Sequence, residues 1–148
     1  MQAAQKSWIA YDANSQFPLE NIPFGVYHAG AQTNCCTRIG DTIVDLAALF
    51  PWFKGPLFSA LKSNIFEGQN LNQFASMGKA IRIEARQTIQ ALFAEGAKDD
   101  AVMNAACKPA EGVKMAMPVF IRDYTDFYSS KNHAYNIGVM FRGPDNAL

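Results

Sequence analysis

The tightest constraint in the sequence is a two-residue turn, Gly40-Asp41, between two runs of strand-forming residues, 34–39 and 42–46. Glycine takes up the positive-φ backbone of a tight hairpin without steric cost, so the three stretches together predict an antiparallel pair. Side chains alternate along a strand, so Ile43 and Val44 point to opposite faces. Both are large and apolar, and the hairpin therefore calls for cover on both sides.

Other segments supply candidates for that cover. Residues 6–11 (Lys-Ser-Trp-Ile-Ala-Tyr) are rich in β-formers and read as a first strand, and 25–29 as a second. Between them, Pro18 and Pro23 hold an extended loop, whose Phe17, Leu19, Ile22 and Phe24 pin it to the sheet. Asp45 is placed to cap a short apolar turn, 46–50, which Pro51 ends. Phe58, Leu61 and Ile65 recur at helical spacing and suggest a short amphipathic helix. The clearest helix is 79–93, with Ile81, Ala85, Ile89, Leu92 and Phe93 in one stripe and Gly96 as its stop. Its Arg82, Glu84, Arg86 and Gln90 read as a solvated face. Residues 98–112 read as a polar loop and 113–117 as a last strand, with Pro118 as a boundary. The pattern predicts a mainly β chain with helical insertions (α+β), built on a small, partly closed barrel. It also predicts two units, 1–117 and 118–148.

Lysine plus arginine equals aspartate plus glutamate at 13 each, so no basic footprint for nucleic acid or acidic membranes exists. No apolar run approaches the ~20 residues that span a bilayer. The first six residues lack the order of a signal peptide, and a cytoplasmic protein is expected. Cys35, Cys36 and Cys107 are odd in number and make no four-ligand metal set, so all three read as free thiols. His28 has no acid or cysteine close by in sequence and reads as structural or exposed.

The chemistry is concentrated near the C-terminus, in Asp123-Tyr124-Thr125-Asp126-Phe127-Tyr128-Ser129-Ser130-Lys131-Asn132-His133 and Phe141-Arg142. In an extended segment Asp126 and Tyr128 share a face. Ser129 or Ser130 can cap a following helix, with His133 in its first turn. The positive end of the helix dipole there favours the neutral imidazole, the form that accepts a proton. A carboxylate, a phenol and a neutral imidazole make half of a hydrolytic site. Taken singly, each residue suits a plainer role: a solvated turn acid, a half-buried aromatic, a surface histidine. Spacing alone leaves both readings open.

The wording of the stretch, continued through Asn136-Ile137-Gly138-Val139-Met140-Phe141-Arg142, resembles the fumarylacetoacetase family. So do residues 17–27 (Phe-Pro-Leu-Glu-Asn-Ile-Pro-Phe-Gly-Val-Tyr) and 38–46 (Arg-Ile-Gly-Asp-Thr-Ile-Val-Asp-Leu), whereas 51–110 carry little family signal. The resemblance implies a Src-homology-3-like N-terminal barrel followed by the start of a β-rich catalytic domain. It implies metal-dependent hydrolysis of a carbon–carbon bond in fumarylacetoacetate, a small-molecule substrate, to fumarate and acetoacetate, by a homodimer. Activating water, stabilising an oxyanion and holding a departing enolate are the three demands of that reaction, and a hard divalent cation, calcium or magnesium, suits the last.

Carried over residue by residue, the resemblance implies Asp126 as a metal ligand, His133 as general base, and Tyr128 and Arg142 as substrate-holding groups. Arg142 lies nine residues after His133, about 180° around an unbroken α-helix, so sharing a pocket requires a break, expected near Gly138, or a pocket that wraps the helix end. The family's other carboxylate ligands, the acid that orients the histidine and the oxyanion donors fall beyond the position matching Leu148. One aspartate cannot satisfy a cation that wants six or more oxygens. The chain is therefore expected to be a truncated N-terminal third, inactive alone. The competing reading is a non-catalytic assembly module formed by the barrel.

Overall fold

The computed structural model describes residues 6–148. The predicted hairpin is its centre: strand β2 (Gln32–Ile39) meets β3 (Thr42–Asp45) across Gly40-Asp41, with Ile39 opposite Thr42 and Gly40 at φ +54°. Strand β1 (Phe24–Ala29) pairs with the other side of β2. Two short strands, β4 (Cys107–Pro109) and β5 (Met115–Ala116), add to the outside, giving an antiparallel sheet of order β4-β3-β2-β1-β5. The fold is α+β. The expected barrel is not closed: β4 and β5 remain the two edges of an open sheet. Edge strands of three and two residues offer too little ladder to meet one another, and helices cover the face that a curling sheet would have sealed.

Those helices are α1 (Leu46–Leu49), α2 (Pro56–Ser59), α3 (Asn72–Ser76), α4 (Lys79–Phe93) and α5 (Asp100–Ala106), with a further helix, α6 (Lys131–Arg142), beyond β5. Asp45 caps α1 by accepting the Ala48 amide, and Pro51 lies within the 3-10 turn Phe50–Trp52 that prolongs it. Helix α4 has the bounds its periodicity predicts and buries Ile81, Ala85, Ile89 and Phe93. It packs into the main core with Leu19, Ile22, Val26, Cys35, Val44 and a phenylalanine cluster around Phe66. Phe66 stacks with Phe58 and tilts against Phe53 and Phe74, so one ring joins α2, α3 and the end of the 3-10 turn after α1.

Several segments depart from expectation. Residues 6–11 form no strand, only a single bridge between Ser7 and Ala94. Their polar groups go instead to the carbonyls that α4 leaves open at its C-terminus. The Trp8 amide donates to Phe93 O, the Trp8 indole to Leu92 O, and the Ser7 hydroxyl to Phe93 O. The helix expected through Phe58, Leu61 and Ile65 is one turn long, because Asn64 turns the chain by accepting the Phe66 amide and donating to Ala47 O. Part of 98–112 is helical, since Asp99 caps α5 through the Ala101 amide.

The polar face of α4 is also more than solvated. Glu84 accepts the Leu57 and Phe58 amides and so caps α2 from a distance, in the space that Gly55 leaves by having no Cβ. Arg82 donates to Ala75 O. Arg86 donates to the carbonyls of Glu20, Asn21 and Ile22. Ile22 is the one non-glycine at positive φ (+39°) among the described residues, a strained conformation for a β-branched side chain. Arg86 and full burial of its side chain hold it there.

The second face of the sheet is covered too, as Ile43 and Val44 require. Tyr27, Cys36 and Ile43 form a smaller cluster beside Ala110 and Val113, while Cys35 and Val44 face the main core. Within it the Asp45 carboxylate accepts the Tyr27 hydroxyl at 2.7 Å and the Asn34 amide at 2.7 Å, and Lys108 Nζ donates to the Tyr27 oxygen at 2.5 Å.

Burial pushes all three thiols up from 9.0, Cys35 and Cys107 to about 11 and Cys36 to about 12. Burial, then the hydrogen bond to Asp45, raises Tyr27 further still. In each case the folded chain keeps a proton that the unfolded chain releases. Stability is therefore whole below pH 9 and falls as the pH rises towards 12. Urea midpoints should be flat from pH 6 to about 8 and decline above about 9, with a shallower slope when all three cysteines are alanine. A flat profile to pH 11 would contradict these shifts.

Candidate functional site

The stretch that carries the chemistry leaves the sheet after β5 and runs from 119 to 129 without helix or strand. Asp126 and Tyr128 lie on it, both exposed. Ser130 then caps α6, its hydroxyl accepting the His133 amide at 3.4 Å. Of the two serines proposed for this role it is the second that serves. Capping places His133 in the first turn of α6, and the turn carries its ring onto Tyr128. The centroids are 5.4 Å apart with planes at 69°, an edge-on contact. The structure thus joins Tyr128 and His133.

It does not join Arg142 to them. Helix α6 runs unbroken from Lys131 to Arg142, so the break expected at Gly138 is absent. Gly138 serves another purpose: a Cβ there would collide with the Ala147 carbonyl, and Gly138 is the one buried residue of the helix. The chain reverses at Gly143 (φ +80°), and the 3-10 turn Pro144–Asn146 lies back along α6. Arg142 fastens it, donating from Nε to Asn146 O at 3.0 Å and from Nη2 to Ala147 O at 2.9 Å. Nine positions apart on a regular helix, His133 and Arg142 face opposite sides.

Among the described residues, Asp126 is the one of the four that no neighbour holds. No group of three or more His, Cys, Asp or Glu side chains able to hold a metal ion occurs among the described residues. One carboxylate does not fit calcium or magnesium, so these residues alone do not make the implied metal site. The start of the stretch, Val119 to Ile121, lines an open cleft of about 380 Å³ with Gln69, Asn70 and Met117, away from Asp126, Tyr128 and His133. The cleft of about 210 Å³ in the second face of the sheet is bounded by residues such as Arg38, Ile43, Val113 and Met115, none of them from the motif. Around the motif, Phe120, Tyr124, Phe127, Met140 and Phe141 are between 66% and 83% exposed.

The fold and this motif can be set beside known proteins. Residues 20–118 match the model of the family described as Fumarylacetoacetase N-terminal. The chain belongs to that family. Curated relatives named fumarylacetoacetase agree: 38% identity over 149 residues in Caenorhabditis elegans, 38% over 151 in Dictyostelium discoideum, and 39% over 150 in Rattus norvegicus. These matches take in 96–97% of this chain but 35% of each relative, so the chain spans about a third of their length. No helix among the described residues is long and apolar enough to cross a membrane.

Two features of the site were not foreseen in the sequence. Arg142 and Gly138 act together as a clasp on the following turn, which the helix-spaced arginine gives no sign of. The Asn72 side chain, far away in sequence, bonds to the backbone of Phe120 at the start of the motif. Gly138→Ala should free the turn from α6 and speed tryptic cleavage after Arg142 severalfold, while the core keeps its unfolding midpoint. Unchanged cleavage would show that α6 tolerates the methyl group and that the clasp is loose.

Proposed function

We propose that these residues form the N-terminal portion of a fumarylacetoacetase, a hydrolase that cleaves the carbon–carbon bond of 4-fumarylacetoacetate to fumarate and acetoacetate. The observation that carries this reading is the Tyr128–His133 pair at a capped helix start, in a chain of the matching family. In this reading His133 takes the proton of the attacking water on a ring nitrogen. Tyr128, edge-on to the imidazole, fixes its tilt and offers a hydroxyl to a substrate oxygen. Arg142 faces away from His133 and uses Nε and Nη2 for its own chain, so in this reading the pocket wraps the end of α6 and Nη1 meets a substrate carboxylate there. Asp126 contributes one oxygen ligand to a calcium or magnesium ion, and the other ligands have to come from outside these residues.

The exposed apolar side chains around the motif suit burial against further protein, which agrees with a larger catalytic unit and with the homodimer that the resemblance implies. The free thiols suit a reducing, cytoplasmic setting. One observation favours the alternative of a non-catalytic assembly module: the main core is complete without any residue of the 119–129 stretch.

Loss of the substrate's diketone absorbance in magnesium or calcium separates the two. The 148-residue chain should give none. A protein of the relatives' full length that carries these residues should turn over, and His133→Ala or Asp126→Ala should lower kcat by about 100-fold or more. Undiminished turnover in the double variant would overturn the catalytic reading.

A further inference from the structure

The start of the motif is tied to the sheet by a route that involves none of the residues assigned to chemistry. The Asn72 carboxamide pairs with both backbone groups of Phe120: Nδ2 donates to Phe120 O at 2.9 Å, and Oδ1 accepts the Phe120 amide at 2.8 Å. Beside it, the Leu71 amide donates to Pro118 O at 2.8 Å. Three hydrogen bonds thus reproduce a short ladder between 71–72 and 118–120, with one side chain standing in for a strand residue. Such a pair fixes both direction and register of the backbone it grips, because donor and acceptor sit on a single planar amide.

The other side of this grip is anchored as well. Asn72 opens α3, and its own amide donates to Asn70 Oδ1 at 3.0 Å. The preceding residues are held to β2: the buried Cys35 thiol lies 3.5 Å from Gly68 O and 3.6 Å from Asn70 O, and the Thr33 hydroxyl donates to Gln69 O at 3.3 Å. Leu71 is 7% exposed and seated in the main core. Strand β2, the 68–72 segment and residues 118–120 therefore form one continuous connection. From Ile121 to Asp126, by contrast, no backbone amide or carbonyl is engaged in helix or strand.

We infer that Asn72 is a positioning residue: it sets the point and direction from which the 121–133 stretch leaves the sheet, and so where Asp126, Tyr128 and His133 stand relative to the N-terminal unit. As a statement about catalysis this rests on the fumarylacetoacetase reading; as a statement about geometry it does not.

The test uses the 148-residue chain with nitroxide labels at Gln32→Cys, on the exposed start of β2, and Thr125→Cys, next to Asp126. With Asn72 intact, dipolar spectroscopy should give one narrow distance, and the Phe120 amide should exchange slowly. Asn72→Ala should broaden the distribution and speed that amide about fivefold to tenfold, without altering exchange in α4. Asn72→Asp, which keeps an acceptor for the Phe120 amide but opposes its carbonyl with a carboxylate, should fall between. An unchanged distance distribution in Asn72→Ala would overturn the inference.

A protein of the relatives' length carries the second arm. Asn72→Ala should there lower kcat/KM about tenfold, with more metal needed for half-activity and the unfolding midpoint unmoved. Kinetic constants equal to those of the unsubstituted protein would refute the positioning role. Absence of turnover in the unsubstituted protein would instead sink the fumarylacetoacetase reading, and the dipolar result would still decide the role of Asn72.

Discussion

A single buried carboxylate holds the sheet to what surrounds it. Asp45 is 5% exposed, and its two oxygens accept from three places: the Tyr27 hydroxyl on β1, the Asn34 amide on β2 and the Ala48 amide in the first turn of α1. Lys108 on β4 reaches the same group through the Tyr27 oxygen and lies 4.7 Å from the Tyr27 ring centroid. Three elements around the hairpin, together with its other strand, thus converge on the last residue of β3. A buried carboxylate is costly unless its lone pairs are used, and here three donors and a nearby cation use them. The register of the hairpin follows, because a one-residue slip would turn Asp45 away from Tyr27 and Asn34.

Around that tie the molecule is organised by α4, and in an unusual division of labour. Its apolar stripe builds the core, while Arg82 reaches the Ala75 carbonyl in α3, Glu84 the first amides of α2, and Arg86 the carbonyls of the loop at 20–22. Backbone groups in irregular segments have to be paired somewhere once they are covered. One long helix therefore supplies partners for two short helices and one loop, and the end of the same helix receives Trp8 and Ser7. The open sheet is stable in this arrangement because helices and loops, rather than a closing strand, complete both faces.

How far this could be read beforehand depended on whether the signal was local. The hairpin was legible because the glycine turn and the alternation of Ile43 and Val44 are local facts. Helix α4 was legible because fifteen residues keep one period. The open sheet was not, since closure depends on whether β4 and β5 meet, and strands that short leave hardly any mark in a sequence. Helix α5 was hidden by its own cap: Lys98-Asp99-Asp100 looks like a polar loop until Asp99 is seen to accept the Ala101 amide. Phe58, Leu61 and Ile65 imitate a helix because phenylalanine-cluster packing also brings apolar residues together at short intervals. In the site, Ser130, His133 and Tyr128 were legible as a capped helix start. Gly138 was misread, since a helical glycine signals a break and a close approach equally well, and only the position of Ala147 decides.

Pairing each donor around Asp45 is the claim on which the arrangement of sheet, α1 and β4 rests, and equilibrium unfolding of Asp45→Ala tests it most directly. Removing the carboxylate strands the Tyr27 hydroxyl, the Asn34 amide and the α1 cap in covered surroundings, each at a cost of about 1–3 kcal/mol. The expected loss is about 3 kcal/mol or more, with Asp45→Asn, which keeps one acceptor oxygen, losing less. A loss below about 1 kcal/mol for the alanine variant would mean that the hairpin holds its neighbours by apolar packing alone.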